Sequence, residues 1–215
     1  METAGWMGKL HAICEWITRL AYLNLLWIAF TLLGFVAAGI LPSTIAMFSV
    51  VRKWLRQETE IPVFSTFWDV YKREFWKANQ IGLVLGLLFS TIAAGGLLLG
   101  SVSTLFSGGA IGLLLLCAVM SLYVFPVYVH FDYTLRKLFK VSFVLSASFP
   151  IQTITMAAAA GLSVMVALVF PAIGFLFFGS ALSLAVMWLA DGIFTKARAG
   201  KREQPHAAAK VSSMP

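Results

Sequence analysis

The chain has 215 residues, of which 60% are hydrophobic and 12% charged, with a formal net charge of +7. A soluble domain carries about 25% charged residues, so this composition excludes an ordinary soluble globular domain. The spacing of the charges says more than their number.

Between Arg19 and Arg52 lie 32 residues without Asp, Glu, Lys, Arg or His. Between Lys77 and Asp132 lie 54, with His130 the single exception, and between Lys140 and Asp191 lie 50 with none. A membrane-crossing helix needs ~20 mainly apolar residues, because each residue rises ~1.5 Å through ~30 Å of hydrocarbon. The second and third stretches must therefore each fold back once. In chain order the first span is expected near 20–41. The 32-residue stretch that holds it is too long for one span and too short for two. It fits a helix that kinks at Pro42 and runs on to Trp54, or a span followed by a re-entrant segment.

A separate amphipathic helix is expected over 65–79, opened by the Thr66-x-x-Asp69 capping pattern. Phe64, Phe67, Trp68, Tyr71 and Phe75 form one stripe at helical spacing, and Asp69, Lys72, Arg73 and Lys77 line the other side. Such a helix suits the headgroup layer, the protein's own cytoplasmic base, or a docking partner. Next come spans near 81–106 and 110–130, separated by Ser107-Gly108-Gly109. A second amphipathic helix follows over 132–146, with Asp132 as its cap and Arg136 and Lys140 on its polar side. The last spans lie near 151–169 and 172–190, divided at Phe170-Pro171, where proline cannot continue a helix. Residues 1–195 then form a single all-α transmembrane bundle of about five spans, and 196–215 a flexible basic tail. Leu41-Pro42 before Arg52-Lys53 resembles Phe125-Pro126 before Arg136-Lys137, which suggests a repeat offset by 84 residues.

Lys and Arg collect on the cytoplasmic side of membrane proteins. Six lie in 42–80, three in 131–149 and five after Asp191, while the turns at 107–109 and 170–171 have none. Five spans put these fourteen together in the cytoplasm, with the C-terminus inside. The N-terminus then lies outside, where Lys9 and Arg19 oppose the rule. Topology accounts for the basic balance, and no nucleic-acid motif accompanies it.

The contact residues expected on the first amphipathic helix are Trp68, Tyr71, Lys72, Arg73, Phe75 and Lys77. Gly82, Gly86, Ser90 and Ala94, spaced by four, form a ridge of small residues that lets helices approach closely in lipid. Arg52, Lys53, His130, Asp132, Arg136 and Lys137 are expected as polar residues at the membrane interface. Neither the three histidines nor Cys14 and Cys117 have metal-ligand or disulfide spacing. No nucleophile, phosphate-loop or dinucleotide pattern is present. No cofactor is expected and no enzymatic activity.

Further residues carry a family resemblance. These are Gly39-Ile40-Leu41-Pro42-Ser43-Thr44, Ala46-Met47-Phe48, Arg52-Lys53-Trp54, Phe67-Trp68, Tyr71-Lys72, Phe75, Lys77-Ala78-Asn79 and Pro126 ahead of His130-Phe131-Asp132. With them nearly the whole chain resembles the YesL-like family of small bacterial membrane proteins, a domain of unknown function. The resemblance brings no catalytic residues. It implies a bacterial plasma-membrane role in carbohydrate uptake, because genes of this family often lie beside carbohydrate importers of the ATP-binding cassette type. The expected role is an accessory or regulatory subunit that contacts the lipid bilayer and importer permease subunits. A channel or facilitator for neutral solutes is the alternative, and a membrane-embedded enzyme a further one. The sequence sets no homo-oligomeric state.

Overall fold

A computed structural model describes the backbone of residues 2–100, 103–131 and 133–212, and the side chains of 6–98, 103–131 and 133–195. The described residues form seven helices joined by short connections: α1 (Glu2–Leu33), α2 (Ile40–Leu55), α3 (Val63–Gly100), α4 (Thr104–His130), α5 (Leu135–Ser148), α6 (Pro150–Val169) and α7 (Pro171–Ser212). Five helices are long and apolar enough to cross a membrane: Trp6–Leu33, Val63–Leu98, Thr104–His130, Pro150–Val169 and Pro171–Thr195. Their outward faces carry large bare hydrophobes such as Leu97, Leu105, Ile154 and Leu168. In water such surface would be costly, and in hydrocarbon it is the natural solvent-facing side.

The first charge-free stretch is a hairpin. α1 stops at Leu33, eight residues after Leu25, and a turn over 34–39 leads into α2. Trp16 packs edge-on against Trp54 at 5.9 Å, and the Trp27 indole donates to Thr44 Oγ1 at 3.1 Å. Residue numbers rise on one helix as they fall on the other, so α2 returns antiparallel to α1. α2 is the core of the molecule, buried on several sides through Ile45, Ala46, Met47, Phe48, Val50, Val51 and Trp54.

This corrects the sequence reading at several points. The break falls at 34–39, and Pro42 is the third residue of α2. Proline is tolerated there because amides of a helix's first turn have no intrahelical partner. The five-span count put Arg19 and Arg52 on opposite sides of the membrane, with the N-terminus outside. The hairpin instead brings the Trp16–Arg19 turn to the end of the bundle that holds Arg52 and Lys53. The proposed repeat is not structural, since Pro42 opens α2 whereas Pro126 lies inside the last turns of α4.

The helix expected over 65–79 is the first part of a single helix, α3, which begins at Val63 and runs through its span to Gly100. At ~1.5 Å per residue, its 38 residues measure about 57 Å, so much of its first half stands beyond the hydrocarbon. The next fold-back comes before Thr104, where Ser103 caps α4 by accepting from the Leu105 amide at 3.3 Å. Ser107, Gly108 and Gly109 lie inside α4. The division at Phe170 and Pro171 is where the sequence reading put it. The backbone of α7 continues to Ser212, into the segment read as a tail.

Two polar contacts pin the 34–39 turn. Tyr71 Oη donates to the Phe30 carbonyl at 3.2 Å, and Asn79 Nδ2 donates to the Ala38 carbonyl at 3.0 Å. They satisfy carbonyls at the end of α1 and in the turn, which in hydrocarbon would be costly to leave bare. Gly34 and Gly39 allow the approach, since a Cβ on Gly34 would meet the Gly39 backbone and one on Gly39 the Thr31 carbonyl.

Candidate functional site at the basic end

α2 ends at Leu55 with Arg52 and Lys53 in its last turn. Cations there complement the negative pole of the helix. α3 passes this end with Arg73, Glu74 and Lys77, and α4 arrives with Tyr128, Val129 and Phe131 at its close. Together with Ile45, Ser49 and Val70 these residues line an open cavity of about 500 Å³. A second cavity of about 400 Å³ adjoins it and shares Lys77 and Tyr128. Phe194 of α7 closes the same end, with its ring 5.3 Å from that of Phe131 and 4.5 Å from that of His130.

Glu74 is the organising residue. Its Oε2 accepts from Tyr128 Oη at 2.6 Å, and its Oε1 accepts from Arg73 Nε at 2.8 Å. The first bond ties α3 to α4, and the second orients a guanidinium at the cavity. Sequence reasoning missed Glu74. The available signal was its isolation, for it is the sole carboxylate between Asp69 and Asp132.

The expected contact residues on α3 divide into three sets. Tyr71 is buried in the core, while Trp68 and Phe75 are half-buried beside it. Phe30 gathers Phe67, Trp68 and Tyr71 around its ring at 5.1–5.4 Å. Lys72, Arg73 and Lys77 are exposed. Lys72 lies 3.9 Å from Asp69 and 4.8 Å from the Trp68 ring, outside the cavity.

Of the expected interface residues, Arg52 and Lys53 line the cavity, and His130 lies beside it with its ring tilted against that of Phe131. Arg136 and Lys137 are exposed on α5, where Lys137 Nζ stands 4.2 Å over the Tyr133 ring. Asp132 lies outside the described residues. Of the expected packing ridge only Gly82 packs within the chain, against Leu41. Gly86, Ser90 and Ala94 are exposed, and nothing lies within 4 Å of a Cβ built on Gly86. The close approach of α3 to α4 runs one face over, where Gly96 meets Ala110.

The uncharacterized protein YesL of Bacillus subtilis (strain 168) is 39% identical to this chain over 193 residues, covering 86% of the chain and 89% of YesL. The chain belongs to the YesL-like family. Two more uncharacterized proteins of the same bacterium share the likeness. YteU is 41% identical over 161 residues, covering 74% of this chain and 72% of YteU. YesV is 42% identical over 151 residues, covering 67% and 71%. A family model described as "Protein of unknown function, DUF624" matches residues 20–95. That match takes in the last part of α1 from residue 20, the turn and α2, and, from the cavity of this chain, Arg52, Lys53, Arg73, Glu74 and Lys77. No solved structure matches the chain.

Proposed function

We propose that this YesL-like protein is an accessory subunit of the bacterial plasma membrane that works with a carbohydrate importer of the ATP-binding cassette type. The observation that carries the reading is the convergence of α2, α3 and α4 on one basic, partly open end, while the remaining surface is largely apolar. A protein of this form gathers its charged, water-facing groups at one end, while the flanks of its long helices face lipid. Lys72, Arg73 and Lys77 on α3 form its exposed contact surface. The importer assignment draws on the family resemblance, which implies neighbouring importer genes. We assign no reaction to the protein.

The basic end belongs in the cytoplasm by the positive-inside rule. With α2 as a return limb, α1 starts and α7 emerges at this same end, so both termini are assigned to the cytoplasm. Lys9 and Arg19 then obey the rule instead of opposing it.

The test is purification of the tagged protein from native membranes in mild detergent, with partners identified by mass spectrometry. Recovery of permease and ATP-binding subunits of a carbohydrate importer is the expected result. Recovery of the protein alone, with transport by liposomes that hold only this protein, would replace the reading with a facilitator.

A further inference from the structure

We infer that the cavity at the basic end binds a phosphoryl group, carried by a membrane lipid headgroup or by a soluble phosphorylated compound. Among the described residues its walls carry Lys53, Arg73 and Lys77 with one carboxylate, Glu74, beside Arg52, which has further contacts of its own. Glu74 offsets one of these charges, and the cations that α2 and α3 hold around the opening repel one another. A fold that gathers them gains most from an anion of more than one charge, and a phosphate monoester carries about −1.5 to −2 at neutral pH.

Glu74 does not fill that role. Both of its oxygens are engaged, one by Arg73 Nε and the other by the Tyr128 hydroxyl. The bond through Nε orients the Arg73 guanidinium and keeps its two terminal nitrogens available, the pair that binds phosphate in a forked geometry. Lys53 of α2 and Lys77 of α3 add ammonium groups to the lining, as point charges. Ile45 and Val70 give the cavity an apolar side. The open cavity, about 500 Å³, leaves room for an organic body beside a phosphoryl group.

The site lies on the chain itself, so its test needs no importer. The full chain is reconstituted in nanodiscs of phosphatidylcholine alone and titrated calorimetrically with glucose 6-phosphate, then with glucose. In parallel, the detergent-purified protein is offered equal phosphatidic acid, whose headgroup is a phosphate monoester, and phosphatidylcholine, and retained lipid is read by native mass spectrometry. Saturable binding of glucose 6-phosphate but not glucose assigns a soluble phosphorylated ligand. Preferential retention of phosphatidic acid assigns a lipid headgroup.

In either arm Lys53→Gln with Lys77→Gln should weaken binding at least roughly tenfold, since charge-assisted bonds are lost. Lys53→Arg with Lys77→Arg should retain it. Lys140→Gln, on α5 and outside the cavity, should leave it unchanged. Thermal melting of each variant separates loss of the site from loss of the fold. No selectivity in either arm, or equal binding by the wild type and a folded double Gln variant, would overturn the assignment.

Discussion

Asn24 of α1 bridges two groups of α7 that a helix normally pairs directly. Its Oδ1 accepts from the Gly179 amide at 2.9 Å, and its Nδ2 donates to the Phe175 carbonyl at 2.7 Å. The Ser180 amide donates to the same oxygen at 3.1 Å. Asn24 is 1% exposed, and Gly179 lets it come so close, since a Cβ there would lie 2.9 Å from Oδ1. One polar side chain thus fastens the first helix to the last inside the membrane.

Asn24→Ala should lower stability by about 0.6–2 kcal/mol, the range for a lost interhelical bond in a bilayer, because it strands buried amides. Gly179→Ala should act in the same direction by displacing the amide. Thermal melting in detergent, followed by size exclusion, checks both. Unchanged midpoints would mean that α1 and α7 are held by packing alone.

The turn between α1 and α2 stores strain. Phe35 and Val36 have φ of 54° and 61°, in the left-handed region that β-branched residues avoid at a cost of roughly 1–2 kcal/mol. Val36 is largely exposed, so its side chain gives up little packing. Val36→Gly should raise stability by about 1 kcal/mol, net of the freedom it returns to the unfolded chain. A lower melting temperature would show that the side chain anchors the turn in the bilayer.

Gly82 and Gly86 should respond differently to the same change. Gly82→Leu drives a side chain into Leu41 and should abolish a monodisperse peak on size exclusion. Gly86→Leu points into open surface and should leave both peak and melting temperature unaltered. Loss of oligomers in the second variant would identify the outer ridge as a contact between copies.

The placement of Arg19 predicts a topology. Reporter fusions should show both termini in the cytoplasm, with alkaline phosphatase inactive at the N-terminus and after Lys137 but active when inserted after Gly109. An active N-terminal fusion would contradict the return of α2 to the side on which α1 begins.

Several of these features were legible in the sequence. Gaps between charges located α4, α6 and the apolar parts of α3 and α7, because hydrocarbon tolerates few ionised groups. The division at Phe170 and Pro171 was readable from proline's missing amide. The α1–α2 turn was not, since its Gly-Phe-Val-Ala-Ala-Gly run is as apolar as a span and its polar partners, Tyr71 and Asn79, lie on α3. What the ridge from Gly82 to Ala94 packs against was not legible either, for a related reason. In a membrane helix the packed and lipid-facing sides are both apolar, so periodicity does not separate them. At the site, Arg52, Lys53, Arg73 and Lys77 could be picked out singly. Their convergence required the fold, and Glu74 drew no notice because its role depends on Tyr128, 54 residues away.

The central claim is that the basic end of this protein is its working surface, and reversing that charge tests it most directly. Interfacial basic residues contribute about 1 kcal/mol each near an anionic surface. Lys72→Glu, Arg73→Glu and Lys77→Glu together should cost roughly 3 kcal/mol of docking, about a hundredfold in affinity. The measurement is recovery of importer subunits with the triple variant from native membranes, with insertion checked by carbonate extraction. The account predicts normal insertion and loss of the partners. Normal insertion with every partner still recovered would contradict it.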